Sequence, residues 1–142
     1  MRTRLIKSER GAALLETAIT IPLILLISVA IFEFGRAYQT WQVLTNAARE
    51  GARVAVINGT TDDAVRAAVR TYMSAGHLSA AATAPIDVQR NQPLGDRSGS
   101  AITISYPFNF IVLNPIVRLV VPDSGTGAPL TMSAFAIMRN EG

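Results

Sequence analysis

The sequence predicts an α+β protein. A long N-terminal transmembrane helix should continue into a small exported domain with a second helix and an antiparallel sheet of about three strands. Three observations lead there. An apolar run near the N-terminus is broken by a single carboxylate, Glu16. All of the excess positive charge precedes that run. Beyond residue 85 the spacing of apolar residues changes from the helical period to a period of two.

The length of 142 residues suits one domain. Hydrophobic residues make up 49% and charged residues only 16%. That charged fraction is low for a soluble domain, so part of the chain is expected outside water. The absence of cysteine excludes disulfides, a thiol nucleophile and thiolate metal sites together. The net charge of +3 is entirely local. Arg2, Arg4, Lys7 and Arg10 face only Glu9 in the first eleven residues, and the nine arginines after Ala12 are matched by nine acidic residues. The sequence therefore offers no basic face for nucleic acid. It offers a cytoplasmic topology signal instead.

Thr17 to Phe32 carries no charge, and Ala12 to Leu15 extends the apolar run on the near side of Glu16. At 1.5 Å per residue, about twenty residues match a hydrocarbon core of roughly 30 Å. Residues 1–11 are thus read as a basic leader, 12–34 as the transmembrane helix and 35–142 as the exported domain. The basic leader places the N-terminus in the cytoplasm and the rest outside, in a single pass through a bacterial inner membrane. Pro22 is expected to kink the helix or leave one carbonyl free. Ala37, Trp41, Leu44, Ala48 and Ala52 recur at helical steps, so the helix should run on to about residue 57. Tyr38 and Trp41 suit an outer interface, although Trp41 fits a core position equally well. Gly51 weakens a helix by about 1 kcal/mol relative to alanine, which suggests a close helix contact.

Asn58-Gly59 signals a turn. Thr60 or Thr61 can cap a second helix over about 61–75, with Asp62 and Asp63 in its positive first turn. Val65, Ala68, Val69 and Tyr72 should form its apolar side, and Gly76 should end it. Strands are expected at about 86–90, 101–108 and 130–139. Ile86 and Val88 alternate with polar neighbours, as do Ile102, Ile104, Tyr106 and Phe108, and Met132, Ala134, Ala136 and Met138 would share a face. Asn91 to Ser100 is a loop by composition. Residues 109–128 are apolar but broken by Pro115 and Pro122, and they give no assignable period.

No catalytic arrangement emerges. His77, the one histidine, follows Gly76 and reads as a surface residue at a helix end. Asp62 and Asp63 are explained by the helix start. No residue cluster can hold zinc, and no glycine-rich phosphate loop follows a strand. No catalytic residue, metal, cofactor or small-molecule substrate is expected, and an enzyme is the least favoured class.

Glu16 is the residue that needs an explanation. A charge at mid-bilayer costs roughly 2.5–3.5 kcal/mol on insertion scales. If the chain were cut after Gly11, Ala12 would carry the terminal ammonium and Glu16 would be mature residue five. In an array of similar helices displaced along their axes, the carboxylate of one could then pair with the ammonium of the next. The run from Arg10 to Tyr38 followed by Asn46 to Val56, "NAAREGARVAV", resembles TadE-like proteins. These are minor pilins or pseudopilins of tight-adherence (Tad, Flp-type) pili. Major Flp-type pilins are shorter and carry tyrosine after the glutamate, where this chain has Thr17 and a sizeable exported domain. A minor component is therefore the better fit.

The resemblance implies cleavage between Gly11 and Ala12 by a membrane-embedded prepilin peptidase. It implies a role for Glu16, and for the membrane Pro22, in assembly. It implies other minor pilins, the major Flp-type pilin and the inner-membrane assembly platform as partners, with no cofactor. Two rival readings differ in processing. An uncleaved single-pass assembly factor would share every feature from Thr17 onward. A conventional signal peptide cut after Ser28-Val29-Ala30 would release a soluble domain starting at Ile31.

Overall fold

The structure, a computed structural model, describes residues 9–115 and 129–140. Arg2, Arg4 and Lys7 of the leader, together with Pro122, lie outside the described residues. Five elements follow in chain order: α1 (Glu9–Ala55), α2 (Asp62–Ala75), β1 (Ile86–Leu94), β2 (Arg97–Phe108) and β3 (Leu130–Arg139). The strands form one antiparallel sheet in the order β1-β2-β3.

α1 is unbroken over 47 residues, about 70 Å at the helical rise. Pro22 lies inside it. Lacking an N–H, it leaves the Ala18 carbonyl without its usual helical donor, but the helix continues. The first half is bare: Leu14, Leu15, Ile19, Ile24 and Ile31 are all more than half exposed. Its most apolar window has a mean hydropathy of 2.3 with none of it buried, so α1 is long and apolar enough to cross a membrane. The second half is packed. Leu44, Ala47, Ala48, Ala52 and Ala55 are buried against Val65, Val69 and Met73 of α2 and against Ile86, Ile102, Ile104, Tyr106, Phe108 and Ala134 of the sheet. Helices thus cover one face of the sheet. The other face bears Phe135, which is exposed.

The small residues of α1 set the spacing of these layers. A Cβ on Gly51 would stand 2.5 Å from Cγ2 of Val69 and 3.4 Å from Cγ1 of Ile102, so α2 and β2 both approach here. The expected close contact is present. Trp41 belongs to a different side of the helix from the core and is 46% exposed beside Tyr38. On α2, the buried row is Val65, Val69 and Met73, at steps of four. Tyr72 points outward, contrary to expectation, because that row of three fills the space against α1.

The end of α2 also differs in detail. Gly76 caps the helix at φ −78°, and His77 takes the left-handed conformation at φ 59°. The N–H of His77 donates to the Ser74 carbonyl and that of Leu78 to the Met73 carbonyl, which makes a Schellman cap. Glycine is needed at 76 for room: a Cβ there would meet Cγ1 of Val43 at 2.5 Å. At the start of α2, the Thr61 hydroxyl accepts from the Ala64 N–H, as the sequence suggests.

Residues 91–100, read above as a loop, mostly extend the two strands. Gly95, with φ 61°, and Asp96 make a two-residue hairpin turn between the paired Leu94 and Arg97. Pro93 is tolerated because β1 is an edge strand. Between Gln89 and Gln92 the register shifts, and Asn91 adopts φ 56°. At this bulge Arg90 reaches back to the helices. Its guanidinium donates to Asp62 Oδ1 at 2.7 Å, to the Ala55 carbonyl at 3.0 Å and to the Thr60 carbonyl at 2.7 Å. One side chain thus joins the end of α1, the turn and the start of α2.

Gly51→Val should destabilise the exported domain by about 2–3 kcal/mol through overpacking. Val69→Ala in the same chain should recover part of that loss, because its methyl is the group struck. Urea unfolding followed by circular dichroism in detergent checks this, and strictly additive effects of the two substitutions would contradict the contact.

Candidate functional site along the N-terminal helix

The residues singled out by sequence fall on one segment of α1. Gly11, Ala12 and Glu16 lie in its opening turns, and Pro22 follows. All four are exposed. Gly11 and Ala12 are already helical, so the backbone at this peptide bond is regular. Glu16 forms no hydrogen bond or ion pair among the described residues, and its neighbours Leu14, Leu15 and Ile19 are apolar and exposed. Thr17 returns its hydroxyl to the Ala13 carbonyl at 2.8 Å and Ser28 to the Ile24 carbonyl at 2.8 Å. These polar groups are therefore satisfied within the helix, as hydrocarbon requires. Pro22, Leu25, Leu26 and Val29 line a shallow apolar depression. None of the described residues brings a partner to Glu16.

A later carboxylate of α1, Glu33, has the opposite environment and was not singled out by the sequence. It is 0% exposed. Its Oε1 accepts the backbone N–H groups of Ile111 and Val112, each at 2.8 Å. Its Oε2 accepts from Arg36 at 3.0 Å. A buried carboxylate is tolerable only when paired and hydrogen-bonded, and here both oxygens are engaged. The signal was present in the sequence. Glu33 closes the uncharged run from Thr17 to Phe32, and Arg36 follows it at a helical i,i+3 spacing. What local spacing could not give is the partner 78 residues away.

Around Glu33 the segment leaving β2 is locked to α1. The Phe34 and Phe110 rings meet edge-on with centroids 6.0 Å apart, and Phe108 and Phe110 do so at 5.1 Å. The Arg36 guanidinium lies 5.3 Å over the Phe108 ring. Next to this junction is a cleft of about 380 Å³ lined by Arg36, Thr40, His77, Tyr106 and Asn109 among others. Its Tyr106 hydroxyl is within 3.4 Å of the Ala80 N–H. His77 contributes an exposed imidazole at the cleft edge. Asp62 and Asp63 are remote from it: they serve the first turn of α2, paired with Arg90 and Arg66. No group of His, Asp and Glu side chains suited to a metal ion occurs among the described residues. In chemical terms the junction fastens a loop to a helix.

A family profile described as TadE-like protein (TadE) matches residues 11–53. The match spans nearly all of α1 and contains Gly11, Glu16, Pro22, Glu33, Arg36 and Gly51. It is the family suggested by the sequence resemblance. No curated protein and no solved structure matches the chain significantly. The bare apolar helix and the family match together point to a membrane-anchored, pilin-like protein associated with a Tad pilus.

Glu33→Ala should leave the Ile111 and Val112 amides without an acceptor and cost about 2–3 kcal/mol. Amide hydrogen exchange at these two positions should become fast, whereas Glu33→Gln, which keeps an acceptor oxygen, should hold most of the protection. Unchanged exchange in the alanine variant would remove the junction as described.

Proposed function

We propose that this chain is a minor pilin or pseudopilin, a structural subunit that takes part in assembly of a tight-adherence (type IVb, Flp-type) pilus. A prepilin peptidase cuts it between Gly11 and Ala12. The first half of α1 then resides in the inner membrane, N-terminus toward the cytoplasm, with the rest outside. Other minor pilins, the major Flp-type pilin and the inner-membrane assembly platform are its partners. Its activity lies in packing with them.

The observation that carries this reading is Glu16. It stands five residues beyond Gly11 within the stretch matched to TadE-like proteins, exposed among apolar side chains and without a partner among the described residues. A carboxylate in that position gains most from a cation brought by another molecule. After cleavage, the Ala12 ammonium of a neighbouring subunit supplies one, and each charge offsets the other's desolvation. Pro22 serves the same stage: the unbonded Ala18 carbonyl lets the helix adjust locally when subunits pack.

The protein purified from membranes of its own host should begin at Ala12. A start at Met1 in cells with an active peptidase would leave an uncleaved anchor, and a start at Ile31 a secreted domain; either would overturn the proposal. Glu16→Gln should leave cleavage intact and lower incorporation into pili by about tenfold or more, the consequence of losing ~1.4 kcal/mol at a subunit contact. Normal incorporation of that variant would sink the ammonium–carboxylate pairing.

A further inference from the structure

We infer that the exported domain makes a second contact with the lipid bilayer, through Phe110 and Ile111 beside Phe34, and that Glu33 holds this contact at the height of the membrane surface. The inference rests on the reading of α1 as a membrane span. It adds a surface that neither the span nor subunit assembly requires.

The height follows from the helix. A span beginning at Ala12 reaches about 30 Å at Phe32. Glu33 therefore lies at about the outer edge of the hydrocarbon core. The backbone of Ile111 and Val112 is bonded directly to its carboxylate, so this segment lies at the same level. Ile111 is nevertheless 60% exposed and Phe34 is 62% exposed. With Phe110, edge-on to Phe34, they make an apolar patch that is continuous with the exposed apolar surface of the helix below. A patch of this kind in water would be a liability. At a bilayer surface it is placed where aromatic and aliphatic side chains gain by partial insertion. The charges agree. Arg36 is the first cation after the apolar run and is about one-third exposed, one helical turn above Glu33, at the level of anionic headgroups. Two points of contact, the span and the patch, fix the tilt of the exported domain, where a span alone would leave it free to lean.

The chain has no cysteine, so single labels can be placed without background. The full chain carrying Leu25→Cys, Ile111→Cys or Asp96→Cys, each with a bimane fluorophore, is reconstituted in phosphatidylethanolamine–phosphatidylglycerol vesicles containing lipids spin-labelled near the headgroup. Asp96, in the hairpin turn near the Ala55 end of α1, is the distal control, and Leu25 reports on the span. The label at 111 should be quenched several-fold more than the label at 96, and Glu33→Ala should reduce that quenching without changing the label at 25. Quenching at 111 no greater than at 96, with 25 still quenched, overturns the bilayer contact and leaves the span standing. No quenching at 25 overturns both. A label at 111 shielded from aqueous iodide but not quenched by the lipids assigns the patch to a protein neighbour and overturns the proposal. Quenching at 111 that survives Glu33→Ala overturns the role given to Glu33.

Discussion

Everything in this molecule depends on one helix serving two environments without a break. The backbone of α1 satisfies its own hydrogen bonds, so it can pass from one medium to another with no change of conformation. Only the side chains need to change. Below Phe32 they are mostly apolar and exposed on every side, which suits hydrocarbon. Above it, alanines and Gly51 form a flat stripe that lets α2 and β2 come close. A three-stranded sheet cannot bury its inner face alone. The upper half of α1 is thus both the continuation of the anchor and the cover of the core.

Such a design needs to be fastened at both ends of the packed half, and in each place a charge is directed at backbone groups. Glu33 binds two amides of the segment after β2 at the lower end. Arg90 binds two carbonyls and Asp62 at the upper end, about 33 Å away by the helical rise. Hydrogen bonds with one charged partner are stronger than neutral ones and lose little to solvent when half-buried. The exposed pair of Arg53 and Glu50 is different. It is bidentate, and the hydrogen bonds from Arg53 hold the Glu50 carboxyl below its usual range. Yet it lies in water and joins two residues of the same helix, so it adds little to the fold. The charges that matter structurally are those that connect elements far apart in sequence.

That distinction explains what the sequence disclosed. The long helix, the second helix with its Thr61 cap, and the three strands were legible because each is written in local periodicity and capping chemistry. Tyr72 was misplaced because period alone cannot choose between adjacent rows of a helix; the choice of Met73 is made by α1. The stretch 91–100 read as a loop because its composition is polar, with a proline and two glycines. Its fold is decided by Gly95 turning the chain in the middle and by the close pass of Gly99 to the Met138 carbonyl, which a Cβ would approach to 2.7 Å. Of the candidate site, Glu16 and Pro22 stood out as a charge and a helix breaker in an apolar run, and Gly11 and Ala12 were singled out through the resemblance. Glu33 was not, since a carboxylate at the end of a span looks like a boundary marker until the amides of Ile111 and Val112 arrive from the segment after β2.

Two carboxylates of α1, Glu16 and Glu33, can now be set against each other. Both sit where a charge is costly, and both lie within the stretch matched to TadE-like proteins. The fold answers Glu33 completely, with a cation and two amides, so its chemistry is finished within one chain. Among the described residues nothing pairs with Glu16, which is exposed among leucines and isoleucines. A residue whose cost is met by its own fold explains architecture. A residue whose cost is not met there calls for another molecule, and the position of Glu16, just beyond Gly11 and near the cytoplasmic end of the span, limits where that molecule can offer its cation. On the proposed reading, the lower half of α1 is the half that meets neighbours, while the upper half packs on its own domain.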